Sequence, residues 1–581
     1  MKVNTSALIA FLILAASFLL SFFSAKQISL TMDELAHIPA GFSYLYKNDY
    51  RLNPEHPPLI KDLAAFPLMF LDLNFPENHP SWTEGVNNQW WFGNQFIFKS
   101  QNDPDQIMFF ARIPMIIVMV LFCWFIYFWA KKLVGEKFAI LALIFSAFSP
   151  TILAHGRLVT TDIGAAFGAI LATYFWICFL KNPNWKNVLF AGIVLGAALL
   201  AKFSLILLIP FFGILVILWP LLKSGFNWKN LAQYILKAIC AGIVAVVLIV
   251  WPFYYFHTFG YPQEKQIADT QEILASNPWK PLKNLCIWMT KNDFTRPLAH
   301  YLLGLLMATQ RVSYGNTVYF LGTVSGGGIK YYFPLVYLMK VPLGLIILMF
   351  FLAGFYLFQL KWLKKISLRK CMVANFDLFA FLIFLVLYWF TSITGNLNIG
   401  VRHLLPIFPF VYLLTVAGVK SIYEKLEKQK KKVFLGFVGV LVFWYVLSSL
   451  LCFPHYLTYF NEVFGGPKNG YKYVVDSNYD WGQDLKRLQK FVEERNIQKI
   501  YVDYFGGDDV EYRLGQKWQK FDPKKEKPKG WLAVSATFLQ GGIGKPARNF
   551  DQPTGYYRWL LDHKPVTRAG NSIFVYYIPE K

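Results

Sequence analysis

Charge is scarce in this chain. Asp, Glu, Lys and Arg make up 16% of its 581 residues against 55% hydrophobic, and mean hydropathy is +0.38. That balance excludes an ordinary soluble domain. Cysteine is scarce too. The six are Cys123, Cys178, Cys240, Cys286, Cys371 and Cys452, most of them in or beside apolar runs and none in a Cys-x-x-Cys pair. Neither a thiolate zinc site nor a disulfide framework fits, and they read as small buried hydrophobes. Short segments of alternating polarity, the mark of a transmembrane barrel, are lacking. No internal repeat is visible, which argues against transporters built from two similar halves. The glycines of Ser325-Gly326-Gly327-Gly328 follow no strand-like segment, which excludes a dinucleotide fingerprint.

What the chain has is long uncharged runs, each near the roughly 20 residues that a membrane-spanning helix needs. The expected fold is therefore a polytopic α-helical membrane protein. Spans are expected over 5–24, 107–130, 138–154, 163–180, 188–200, 205–222, 231–256, 333–360, 376–393, 404–419 and 433–453, about eleven in all. The first follows Lys2 and has no small-x-small cleavage site at Phe23-Ser24-Ala25, so it reads as a retained span. Two long polar loops, 26–106 and 257–330, interrupt the series. Within the first, the piece 63–73 is too short to span and suits an interfacial helix.

The cations orient the chain. Lys131/Lys132, Lys181/Lys186, Lys223/Lys229, the stretch from Lys361 to Lys370 and that from Lys420 to Lys432 fall on one side, which should be cytoplasmic. The two long loops, Arg157, Lys202, Arg402 and the C-terminal part then face outward. A formal net charge of +23 would suggest nucleic acid in a soluble protein. Here it is the loop bias of a membrane protein, and no nucleic-acid partner is expected. The 19 Trp and 32 Tyr suit many membrane interfaces. The chain divides at 453/454. Residues 1–453 form the membrane part. In 454–581 no segment could span, and short strands at 474–475, 500–504, 531–535 and 573–577 with an amphipathic helix over 484–495 predict an extracytoplasmic α/β domain.

Charged side chains at the outer ends of spans are the candidate site. Asp33-Glu34 follows the first span. With Thr31 they spell a capping box, yet a carboxylate at the mouth of a membrane cavity also suits a general base. His56-Pro57-Pro58-Leu59 with Lys61 is either a rigid turn into an interfacial helix or a cationic arm near a bound anion. Arg157 and Asp162 flank the outer start of a span, Lys202 ends another, and Arg402-His403 begins a third. Each alone suits snorkelling or pairing; converging, they would bind a lipid phosphate. In Asp476-Ser477-Asn478-Tyr479-Asp480-Trp481-Gly482-Gln483-Asp484 the acids could hold a sugar or a divalent cation, or cap the next helix.

This ordered set resembles the protein O-mannosyltransferases: Asp-Glu after span one, His-Pro-Pro-Leu with a following Lys, Arg-x-x-x-x-Asp at the start of span four, and Ala201-Lys202-Phe203-Ser204. With the lipid A aminoarabinose transferases, that family belongs to the GT-C glycosyltransferases. The likeness lies mainly in the first two hundred residues, with weaker support at Arg402-His403-Leu404-Leu405-Pro406. It implies a polyprenyl-phosphate-linked sugar donor, a hydroxyl-bearing acceptor (protein, lipid or glycan), a lipid bilayer, and inverting transfer on the extracytoplasmic face. Asp33 matches the catalytic acid and Glu34 its neighbour. Arg157 and Lys202 match cations on the donor phosphate. Lys61 and Arg402 are looser matches, with His56, Asp162 and His403 beside them. The second long loop is too short for the β-trefoil domain of the eukaryotic enzymes, and this compact form resembles a bacterial, inner-membrane version. A phosphate leaving group held by Arg and Lys needs neither nucleotide nor metal. Two adjacent acids could hold a divalent cation, but no spacing in the chain indicates one. The alternative is a transporter or flippase that uses the same cations to bind a lipid-linked saccharide intact.

Overall fold

The computed structural model describes residues 5–360, 368–548 and 550–579. Of the basic stretch 361–370, residues 361–367 lie outside them, as do Lys2 and the last two residues of the C-terminal part.

Among the described residues, eight helices are long and apolar enough to cross a bilayer: Thr5–Lys26, Pro104–Val134, Asp162–Lys181, Phe203–Ser224, Trp228–Thr258, Phe376–Thr394, Val401–Lys425 and Lys428–Leu451. The chain is an integral membrane protein by this measure. The bent pair Tyr332–Lys340 and Leu343–Gln359 raises the count to nine. The expected eleven is not reached, because three expected spans are short or broken. The segment 138–154 divides into Glu136–Ala147 and Pro150–His155. Ser149, extended because Pro150 follows, caps the second piece through its hydroxyl. Trp185–Leu199 has 15 residues. In the last case Pro342 forces Val341 out of the helix, and the two halves meet at 115°. Exposed Phe11, Val386 and Phe443 fit surfaces that face hydrocarbon.

Contacts sort the helix ends into two groups. At one end Lys181 pairs with Asp377, and Arg369 Nε donates to the Leu222 carbonyl at 2.7 Å. At the other, Arg112 meets Glu34, Lys202 meets Asp162, and Arg402 meets Asp33. The first long loop folds back on this second end through the helices Met32–Lys47 and Leu59–Ala65 and the turn Phe66–Phe70, where Leu63, Phe66 and Phe70 stay exposed as an interfacial helix would leave them.

Strands β1 (Val318–Phe320) and β2 (Thr323–Ser325) lie in the second loop. The remaining strands are β3 (Ile500–Asp503), β4 (Trp518–Gln519), β5 (Gly530–Ser535), β6 (Lys545–Pro546), β7 (Thr567–Ala569) and β8 (Ile573–Ile578). Five of them form a mixed sheet in the order β4-β3-β5-β8-β7, with β3 parallel to β4 and β5 and the other pairs antiparallel. Helix Leu485–Glu494 packs Leu485, Leu488 and Val492 against Ile500, Ala533 and Val575 of that sheet. No strand forms at 474–475; Val474 makes only an isolated bridge to Phe320. Strand β6 adds in parallel to β2, so the C-terminal part is joined to the second loop by backbone pairing.

Candidate functional site

Thr31 is extended and helix Met32–Lys47 begins after it. The Glu34 carboxylate reaches back to the Thr31 amide at 3.0 Å and hydroxyl at 2.9 Å, so the capping reading holds for Glu34. Successive helical residues point about 100° apart. Asp33 and Glu34 therefore enter different surroundings. Glu34 is fully buried. It also accepts from Arg112 Nε at 2.8 Å and Nη2 at 2.6 Å, and from the Val159 amide at 3.1 Å. Arg112 spends its other N–H groups on the carbonyls of Ala25, Ile28 and Ser29. Burial pushes the Glu34 carboxyl up, but the Arg112 guanidinium outweighs it and holds the group below its ordinary value.

Asp33 instead lines a cavity of about 750 Å³, with a side chain 21% exposed. Arg402 Nη1 donates to its Oδ2 at 2.6 Å and to Asp162 Oδ2 at 3.3 Å, and Lys202 pairs with the other Asp162 oxygen. Acid and base thus alternate along Asp33, Arg402, Asp162 and Lys202. Burial pushes the Asp33 carboxyl up; the charge and hydrogen bond of Arg402 lead the groups that more than offset it, so it is a carboxylate at neutral pH. His37, one turn on, donates from Nδ1 to the Val159 carbonyl at 2.9 Å, and its ring meets that of His56 edge to face at 5.0 Å. Burial lowers both imidazoles, His56 well below its usual value with Lys61, Lys202 and Arg311 acting the same way, so both are neutral.

The same cavity is lined by His56, Lys202, Arg402 and His403 among the expected residues, and by Arg311, which has no carboxylate partner among the described residues. Much of the rest of its lining is apolar, including Phe203, Ile206, Leu207, Pro210, Leu305 and Phe333. The remaining expected residues stand behind this lining. Lys61 is fully buried and donates to the Tyr44 hydroxyl and the His56 carbonyl at 2.7 Å and to both Asn53 oxygens at 2.9 Å, which fixes the turn before the Pro-Pro pair. Burial keeps its ammonium well below the usual lysine range. Arg157 lies over the Tyr456 ring at 5.5 Å; its closest acceptor is the Leu153 carbonyl at 3.4 Å, and burial lowers its guanidinium to about 9. Asp162 bridges two cations from below. In the segment 476–484 the acids serve turns: Asp480 accepts from the Thr537 amide at 2.8 Å, and Asp484 from the Asn571 and Ser572 amides at 3.1 Å. Among the described residues no three His, Cys, Asp or Glu side chains gather as a metal site would require.

Sequence reasoning passed over His37, Arg311 and Arg112. His37 was within reach, since i+4 spacing puts it on the Asp33 face. Arg112, a cation inside an apolar run, signals a buried partner. Arg311 sits in the loop helix Arg296–Tyr314 and carries no such signal.

Known proteins resemble this chain in part of its sequence and in its fold. The family described as dolichyl-phosphate-mannose-protein mannosyltransferase matches residues 105–252. The S. cerevisiae protein O-mannosyltransferase Pmt1-Pmt2 complex bound to the sugar donor superposes with TM-score 0.56 at 10% identity, over 78% of this chain and 90% of that one. ArnT from Cupriavidus metallidurans bound to undecaprenyl phosphate aligns over 98% of this chain and 99% of its own, with TM-score 0.45 and 12% identity. No curated protein matches in sequence. The chain has the GT-C fold and resembles the O-mannosyltransferases within it.

Proposed function

We propose that this protein is an inverting glycosyltransferase of a bacterial cytoplasmic membrane. It moves a sugar, mannose or a similar hexose, from a polyprenyl-phosphate donor to a hydroxyl of a protein, lipid or glycan on the extracytoplasmic face. One observation carries the reading: a single cavity joins a carboxylate, Asp33, and the cations Lys202, Arg311 and Arg402 to an apolar wall. That combination suits a phosphate with a sugar on one side and an isoprenoid on the other. The lipid tail runs along Phe203, Ile206, Leu207 and Pro210. The match to the dolichyl-phosphate-mannose family and the fold shared with the yeast enzyme support the same class.

The acceptor oxygen forms its bond to the anomeric carbon as the bond from that carbon to the phosphate oxygen breaks. The electron pair leaves on the lipid phosphate, whose charge Lys202, Arg311 and Arg402 stabilise. The acceptor proton passes to Asp33. Glu55, which also lines the cavity, has its oxygens engaged by Asn87 at 3.1 Å and Gln89 at 2.6 Å. Asp33 has only Oδ2 engaged among the described residues, which leaves Oδ1 for the acceptor proton, and a one-step inversion needs only one such carboxylate. Glu34, Lys61 and Arg157 support the site from behind, and the assignment of donor contacts moves from Lys61 and Arg157 to Arg311. The test is purified protein given labelled mannosyl-phosphoryl-undecaprenol and bacterial envelope acceptors. Sugar should appear on acceptor with wild-type protein and not with Asp33→Asn. Unchanged turnover in that variant removes Asp33 from the chemistry, and intact donor crossing a vesicle membrane would make the protein a flippase.

A further inference from the structure

We infer that Trp481, from the segment after the last span, is a positioning residue for this reaction: its ring sets the plane of the Arg402 guanidinium that holds Asp33. The inference rests on the reading of Asp33 as the base. Trp481 is 1% exposed and does not line the cavity. Its ring lies 4.2 Å from the guanidinium carbon of Arg402. Arg402 meets both carboxylates through Nη1 alone, and its buried Nε has no hydrogen-bond partner among the described residues. Two acids on one nitrogen leave the guanidinium free to swivel about that point. The aromatic face is the contact that fixes its plane.

The same residue reaches Asp33 a second way. The Trp481 carbonyl accepts the Met32 amide at 3.0 Å, one residue before Asp33. Around it, the Gln483 carbonyl accepts the Ser29 amide at 3.0 Å, and Asp508 accepts the Leu30 amide at 3.2 Å. Trp481 is itself fixed by its amide, which donates to Gln483 Oε1 at 2.8 Å. Gly482 follows at φ +92°, a backbone conformation that suits glycine, and a Cβ there would run into Gly506 and Tyr504. The C-terminal part thus builds one wall behind the reacting carboxylate.

The titratable groups facing Asp33 are Arg402, Asp162, the neutral His37 on its own helix, and Asp476 from the Trp481 segment. Arg402 is the one that keeps the carboxyl down. If the ring is lost, Arg402 swings away, Asp33 takes up its proton at higher pH, and the acid limb of the rate profile moves up. Full-length protein in detergent is assayed with the lipid-phosphate sugar that the wild type turns over. Trp481→Leu should lower kcat/KM about tenfold. It should also raise the acid limb by about one pH unit. Trp481→Phe, which keeps an aromatic face, should restore both toward wild type. Trp481→Met, whose flexible chain fills an irregular gap better than Leu but without that face, carries the same expectation should the Leu variant fail to fold. The part of thermal stability that disappears with Asp33→Asn, followed against pH, gives a substrate-free readout of the same shift. An acid limb unmoved in the Leu or Met variant, or a Phe variant as impaired as Leu, overturns the inference. Turnover that survives Asp33→Asn would instead sink the reading beneath it.

Discussion

Two neighbouring carboxylates, Asp33 and Glu34, stand in opposite settings. Around Glu34 the protein is closed, and every oxygen lone pair has a donor from Thr31, Arg112 or Val159. Around Asp33 it is open, with one oxygen on Arg402 and a cavity beyond. One step of helix separates a group that holds three chain segments together from one that can meet a substrate. Charge and depth are the same for both. What differs is azimuth, and only azimuth decides between structure and chemistry.

Exchanging each acid for its amide breaks the comparison cleanly. Asp33→Asn should cut transfer by about 10²–10⁴-fold, the usual worth of a positioned base, with a smaller fall in melting temperature than Glu34→Gln, because Arg402 keeps Asp162 as a partner. Glu34→Gln should destabilise the protein by about 3–5 kcal/mol, because it leaves Arg112 buried without its counter-charge. Thermal unfolding in detergent beside a transfer assay separates the two. If both variants lose only activity, the distinction drawn here fails. Arg311→Ala should raise the donor KM about tenfold, as loss of one charge-assisted contact to phosphate does, and the effect should shrink in high salt. A pH effect comes next. Burial pushes the Asp480 carboxyl up from 3.8 to about 7. Its contribution to stability is complete below pH 3.8 and is lost as pH rises through 7. Raising pH from 5 to 8 should therefore lower the melting temperature by about 5 °C, a loss that Asp480→Asn abolishes. Smallest, Arg157→Lys should leave the donor KM within about twofold, since the group lies behind the cavity wall.

Much of this was legible because a membrane reduces the alternatives. An apolar run ends where charge begins, so Asp33, Lys202 and Arg402 could be assigned to one end of the bundle before any fold was known. Depth is written along the chain in that way, but rotation about the helix axis is not. Lys61 and Arg157 have the right depth and face protein, while His37 and Arg311 face the cavity. The breaks at Pro150 and Pro342 were equally readable as proline rules, yet the hydropathy runs pass straight across them and suggest whole spans. Arg402 over Trp481 was out of reach, since nothing local in either segment names the other. The five-stranded sheet was anticipated in three of its strands, β3, β5 and β8, whose residues alternate or bury strongly. The two-residue β4 is too short to leave a pattern.

The ion pair between Asp33 and Arg402 spans 369 positions of chain. A ribosome adding about 5–20 residues per second would release the carboxylate roughly 20–70 s before its counter-ion. Trp481 emerges later still. A nascent chain that ends before that point lacks the Trp481 and Gln483 carbonyls that receive the Met32 and Ser29 amides, so the turn carrying Asp33 is held only when the far end of the chain arrives.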